Sequence, residues 1–217
     1  MLKNTIFILN KRPKGIPDDS CWKLIDSPIR NIKKNEILIQ NMYLSIDPYM
    51  RGRMNAGKSY APPVNIGEIM VGETLGKVIK SNSKKYLEGD LVCSHKGWQK
   101  YTLVKDNDLT LIKVPKTDIP ASVFLGALGM PGRTAFFGLN KVAKPNQGET
   151  VVVSAASGAV GAVVTQLAKI YECNVVGIAG GYEKCKYVTD TLGANNCIDY
   201  KNDNVLDKLH EYCPNGV

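Results

Sequence analysis

Residues 151–161 read Val-Val-Val-Ser-Ala-Ala-Ser-Gly-Ala-Val-Gly. A short β-branched run enters a stretch of small residues and then an apolar helical pattern. The reading is a buried strand, a glycine turn and a helix, and this order restricts the fold more than any other segment does. It belongs in a parallel sheet built from strand–helix units. Such a turn suits a dinucleotide. Without a Cβ, Gly158 lets backbone come close to a pyrophosphate, and helix N-terminal N–H groups point at its oxygens. Gly161 lets the helix pack closely on the strand. Ser157, Gly158, Ala159, Val160 and Gly161 are therefore the candidate phosphate-side residues. Ala156 stands where the usual G-x-G-x-x-G has its first glycine, so the strand before and the helix after must carry the argument.

The alternation continues. A strand at 150–154 is expected, then a helix from about Ala159 to Tyr171, and a second strand at 174–179. A helix over 182–192 closes at Gly193, a third short strand covers 197–200, and a further helix begins at Asn204. This is one half of a doubly wound sheet. Upstream, 120–128 and 131–140 look helical, with Pro131 in a first turn. The first hundred residues read differently. Strands are expected over 36–45, 70–79, 90–94 and 98–104, with turn signals at Pro62-Pro63, Gly89-Asp90 and Lys96-Gly97. Glycines 72 and 76 inside a strand pattern mark a bulge, a corner or close backbone approach. The spacing suggests a small β-barrel or a pair of packed sheets.

The net charge of +8 comes from lysines spread along the chain, with no arginine stripe or interleaved stacking aromatics. Solvated lysines are expected rather than a nucleic-acid surface. No apolar run has the roughly 18 residues of a membrane helix, so no membrane partner is expected. Six cysteines at 21, 93, 173, 185, 197 and 213 form no C-x-x-C pair. Scattered thiols without a visible secretory signal suggest a reduced, cytoplasmic protein.

The end of the second strand bears on cofactor choice. It runs Val176-Gly177-Ile178-Ala179-Gly180-Gly181, with no acid at its tip. NAD enzymes use an Asp or Glu there, which would repel a 2′-phosphate. Gly180 keeps that tip open, and Lys184 follows within reach as a point charge for the phosphate. The alternative is a solvated lysine at a helix start.

Five ordered segments sharpen this reading: residues 47–54, 60–63, 67–72, 128–135 and 155–161. Together they resemble the zinc-independent, NADPH-dependent alkenal/one oxidoreductases of the medium-chain dehydrogenase/reductase family, the branch of leukotriene B4 dehydrogenases and curcumin reductases. The resemblance covers the whole chain, and the segment from Gly180 to Tyr187 leans toward the curcumin-reductase branch. It implies an N-terminal GroES-like β-barrel domain at 1–122 and an incomplete Rossmann domain, a doubly wound parallel sheet, at 123–217. It implies NADP(H) as cofactor, with Lys184 and Tyr200 at the adenosine 2′-phosphate. Tyr200 could equally be a packed strand tyrosine. Tyr49 and Tyr60 fall in motifs that face the nicotinamide in relatives, and barrel-core packing is their alternative. No metal is expected. Catalytic-zinc relatives need a cysteine where this chain has Asp47 or its neighbours, and a histidine where Val71-Gly72-Glu73 has Gly72.

The implied activity is reduction of the C=C bond of α,β-unsaturated ketones and aldehydes, with hydride to the β-carbon, an enolate, and a proton to the α-carbon. A noncatalytic NADP-binding fragment and a quinone oxidoreductase are the alternatives. An apparent C-terminal truncation is expected to weaken or abolish turnover. A homodimer is possible if the missing half is present.

Overall fold

Thr5, Ile6, Phe7, Ile8 and Leu9 are β-branched or apolar, and they lie in strand β1 (Lys3–Leu9). Its antiparallel partner is β2 (Trp22–Pro28), with Ile6 opposite Ile25. The computed structural model describes residues 2–217. The chain divides into two units, Met1–Leu125 and Gly126–Val217.

In the first unit, β3 (Glu36–Leu44), β4 (Thr74–Ser81), β5 (Leu91–Ser94), β6 (Tyr101–Lys105) and β7 (Ile112–Lys113) form a five-stranded sheet in the order β6-β3-β4-β5-β7. Among the described residues this sheet and the β1–β2 pair remain two separate sheets, without a closed barrel. They join through isolated bridges, Ile6 to Gln99 and Ile8 to Ile69. Two expected strands start later for the same reason. Residues 69–70 and 98–100 bond to β1, as in Met70 N–H to Phe7 C=O and Phe7 N–H to Trp98 C=O, both 2.9 Å. Gly76 marks close approach: a Cβ there would lie 2.4 Å from the Gln40 carbonyl oxygen, beside a register shift between Asn41 and Tyr43. A short helix, α1 (Tyr49–Arg53), buries Met50 against Leu9, Met54 and Met70. The expected helix at 120–128 is a 3₁₀ turn, Ala121–Leu125.

The second unit opens with α2 (Met130–Phe137), which has Pro131 in its first turn and runs into a π-helical turn, Gly138–Ala143. Then come β8 (Thr150–Ser154), α3 (Gly161–Ile170), β9 (Asn174–Ala179), α4 (Tyr182–Lys186), β10 (Asn196–Asp199) and α5 (Val205–Tyr212). The strands are parallel in the order β10-β9-β8. Successive strand side chains point to opposite faces, and the core obeys this. Val175 packs with Ala156, Ala168 and Val188, while Val176 packs with Ile198 and Cys213. Both faces are covered, which explains the unbroken valine runs. Helix α3 starts at Gly161, two residues later than its apolar pattern, because 155–160 are held in the turn. After α4 the backbone widens into a π-helical turn, Tyr187–Thr191, and Gly193 at φ +80° ends it. Among the described residues no helix is long and apolar enough to cross a membrane.

Candidate functional site

The turn after β8 is tighter than its sequence suggests. Ala155 sits at φ +48°, in the left-handed region that alanine avoids. Its carbonyl accepts the Gly158 N–H at 2.8 Å, and the Ala156 N–H bonds Ile178 C=O on β9 at 3.0 Å. The loop is thereby tied to the neighbouring strand. Gly161 is required sterically: a Cβ there would lie 2.3 Å from the Ala155 carbonyl oxygen and 2.9 Å from Ala156 Cα. Gly158 makes a smaller demand, with a Cβ 3.1 Å from the same oxygen. Its own N–H is used inside the loop. The N–H groups of Ser157, Ala159, Val160 and Gly161 have no acceptor among the described residues. Four amides at the start of a ten-residue helix form a donor set suited to an anion.

At the end of β9 the structure brings Gly180 and Tyr200 together. A Cβ on Gly180 would meet the Tyr200 ring and hydroxyl at 2.6 Å, so the ring lies against bare backbone. Tyr200 is still 57% exposed. Gly181 follows at φ +97°, and its N–H donates to Asp199 Oδ1 at 2.7 Å. Lys184 is exposed on α4, and its ammonium has no partner among the described residues, whereas Lys186 pairs with Asp190. The sequence reading missed Asp199 and Ala155. Asp199 accepts bonds from Gly181 N–H, Asn202 Nδ2 and Lys201 N–H, which hold its carboxyl below the usual carboxylate range. Its place beside Tyr200 was the available signal. An alanine in a left-handed conformation gives no signal in sequence.

In the first unit, Tyr49 is half-buried on α1 and Tyr60 is 85% exposed on the loop that follows. Burial, and then the charge of Asp47, raise the Tyr49 hydroxyl above the usual phenol value. Glu73 is 1% exposed, with His95 Nε2 3.4 Å from its Oε1. Asp47 is buried, and its Oδ2 has no hydrogen-bond partner among the described residues. The residues present do not fit a catalytic zinc. A Cβ on Gly72 would meet Leu44 Cδ1 at 2.9 Å and Met50 Cε and Trp98 Cδ1 at 3.0 Å, so the place a ligand histidine needs is filled with carbon. Among the described residues no three His, Cys, Asp or Glu side chains are placed to hold a metal.

A nucleotide-type turn on a parallel strand–helix unit, preceded by an antiparallel sheet unit, defines a dehydrogenase architecture. Two family profiles match. One, described as the N-terminal domain of oxidoreductase, covers residues 5–112, and the other, zinc-binding dehydrogenase, covers residues 159–217. The chain belongs to the medium-chain dehydrogenase/reductase family. Within it, the NADPH-dependent curcumin reductase of Escherichia coli K12 is 42% identical over 215 residues, which is 99% of this chain and 62% of the relative. The NADP(+)-dependent 2-alkenal reductase of Nicotiana tabacum is 38% identical over 226 residues, 100% of this chain and 64% of the relative. The crystal structure of CurA from Vibrio vulnificus in complex with NADPH matches with a TM-score of 0.92 and 42% identity, over 98% of this chain and 63% of that one. The chain thus spans somewhat less than two thirds of the length of these relatives.

Proposed function

We propose that this chain binds NADP(H) and serves the reduction of the C=C bond of α,β-unsaturated ketones and aldehydes. Residues 1–122 form the substrate-side domain and 123–217 the cofactor domain. One observation carries the reading: unengaged N–H groups of Ser157, Ala159, Val160 and Gly161 at the start of α3, above a turn closed by Ala155. Those amides bind the diphosphate, and Gly158 keeps the turn short. Lys184 and Tyr200, with Gly180 beneath the tyrosine ring, bind the 2′-phosphate. The relatives support this through the cofactor and substrates in their names.

When bound, NADPH supplies the hydride that adds to the β-carbon. Negative charge then develops on the carbonyl oxygen, which calls for a hydrogen-bond donor. Tyr49, half-buried on α1, is the candidate donor through its hydroxyl. Tyr60 adds an exposed aromatic face for a flat conjugated substrate. A cytoplasmic setting, supported by six free thiols, and a homodimer belong to the same proposal.

The test is a titration of the protein with NADPH and with NADH. NADPH binds more tightly, and Lys184→Ala lowers its affinity by about tenfold to a hundredfold, the worth of one charged hydrogen bond, while NADH is unaffected. Equal affinities, or no binding of either, would overturn the reading. NADPH consumption with a conjugated enone is measured separately. Binding without consumption would favour a nucleotide-binding module.

A further inference from the structure

Cys185 on α4 and Cys197 on β10 face one cavity of about 500 Å³, together with Tyr182, Thr189 and Asp199. Both pack against the same core cluster, which includes Val153, Val175 and Val188. Cys197 Sγ also fills the space beside Gly177, where a Cβ would lie 3.4 Å from it. Both are half-buried free thiols, and α4 packs on β10. In sequence the two cysteines adjoin the residues that the proposed function gives to the 2′-phosphate. Cys185 follows Lys184, and Cys197 lies on the strand that leads into Asp199 and Tyr200.

We propose that Cys185 and Cys197 form a redox-sensitive dithiol whose closure to a disulfide under a peroxide weakens NADPH binding. The proposal rests on the cofactor assignment above. The Cys185 thiolate attacks the peroxide O–O bond, giving the sulfenic acid and hydroxide. The Cys197 thiol then displaces water from that sulfur, and the S–S bond forms. The two sulfurs together lose two electrons and the peroxide is reduced. Cys185 lies on a short helix with no buried residue, whereas Cys197 sits on a sheet strand with its Sγ against Gly177. Cys185 is accordingly the sulfur that meets the peroxide, and Cys197 the one that resolves.

The element that yields to the bond is α4. It is five residues long and none of them is buried. Gly181 at φ +97° precedes it and the π-helical turn follows it. β10, by contrast, is locked in its parallel ladder with β9. A disulfide holds its two Cα atoms within a narrow range, so closure fixes α4 against β10 and with it the place of Lys184 relative to Tyr200.

The experiment treats the reduced protein with hydrogen peroxide, maps the cross-linked peptides by mass spectrometry and titrates NADPH before and after. The expected result is a Cys185–Cys197 disulfide, a loss of NADPH affinity of about tenfold, and recovery with dithiothreitol. Cys197→Ser keeps NADPH affinity in the reduced state and forms no disulfide at Cys185. Peroxide treatment that oxidises Cys185 without cross-linking it to Cys197 would overturn the proposal. So would a disulfide that leaves NADPH affinity unchanged. Reduced protein that never binds NADPH would instead refute the cofactor assignment, while the peptide map still reports whether the dithiol closes.

Discussion

Ala155 and Gly161 together set the shape of the turn after β8. The left-handed alanine sends its carbonyl toward the helix start, and only a residue without Cβ fits against it. Gly161→Ala places a methyl group 2.3 Å from that backbone oxygen, which has no flexible end to swing away. The expected cost is about 1–3 kcal/mol, the usual range for overpacking a tight site. It is read as a lower denaturant midpoint at unchanged m-value, together with weaker NADPH binding. A stable variant that binds normally would show that the turn tolerates bulk. The sequence made Gly161 legible because glycine at this spacing has few other uses. Ala155 was illegible because its strain depends on φ and not on residue type. Asp199 was only half legible: its place beside Tyr200 was a signal, but its partner, the Gly181 N–H, is backbone and eighteen residues away.

At the scale of elements, the parallel strands were the most readable part. Runs such as Val151-Val152-Val153 pack on both faces of the sheet, with Val153 buried, so β8 and β9 fall at 150–154 and 174–179 as the pattern implies. β2 went unseen because Lys23, Leu24, Asp26 and Pro28 are exposed and mixed in character, with no face to announce. Helix α1 is too short for periodicity. α5 is the opposite case. Asn204 is its N-cap, its side chain accepting from Leu206 N–H at 3.0 Å and Asp207 N–H at 3.4 Å. Val205, Leu209 and Tyr212 pack onto the face of the sheet that holds Val176 and Ile198. Asn204→Ala is expected to cost about 1 kcal/mol, read from the shift of the unfolding midpoint, with Asn204→Asp close to neutral. No loss on Asn204→Ala would mean that apolar packing alone holds the helix.

For the whole molecule, acid stability follows from its carboxylates. Arg30, and then the Lys33 N–H, bind Glu36 and lower its pKa to about 2 from an ordinary 4.5. Glu68, Asp90, Glu149 and Asp190 are also held low by side-chain or backbone donors. Where a folded-state pKa is depressed, the unfolded chain binds more protons, so stability rises with pH across the gap. The contribution of Glu36 is therefore complete above about pH 4.5 and is lost as pH falls through about 2. Urea midpoints measured across this window should fall steadily, and Glu36→Gln should flatten the curve. An unchanged slope in that variant would remove Glu36 from the account. The two-part layout was legible at this scale because the hydrophobic period changes along the chain. The way the two sheets of the first unit join was not, since it depends on bridges between residues about 60 and 90 positions apart.

The packing at Gly72 bears on what that position could carry. Leu44, Met50 and Trp98 converge on the point where imidazole would have to grow, and they come from a strand, a helix and a loop. A histidine in place of Gly72 would have to displace the ends of all three side chains at once, so a Gly72→His exchange would disturb this packing before its ring could reach a metal.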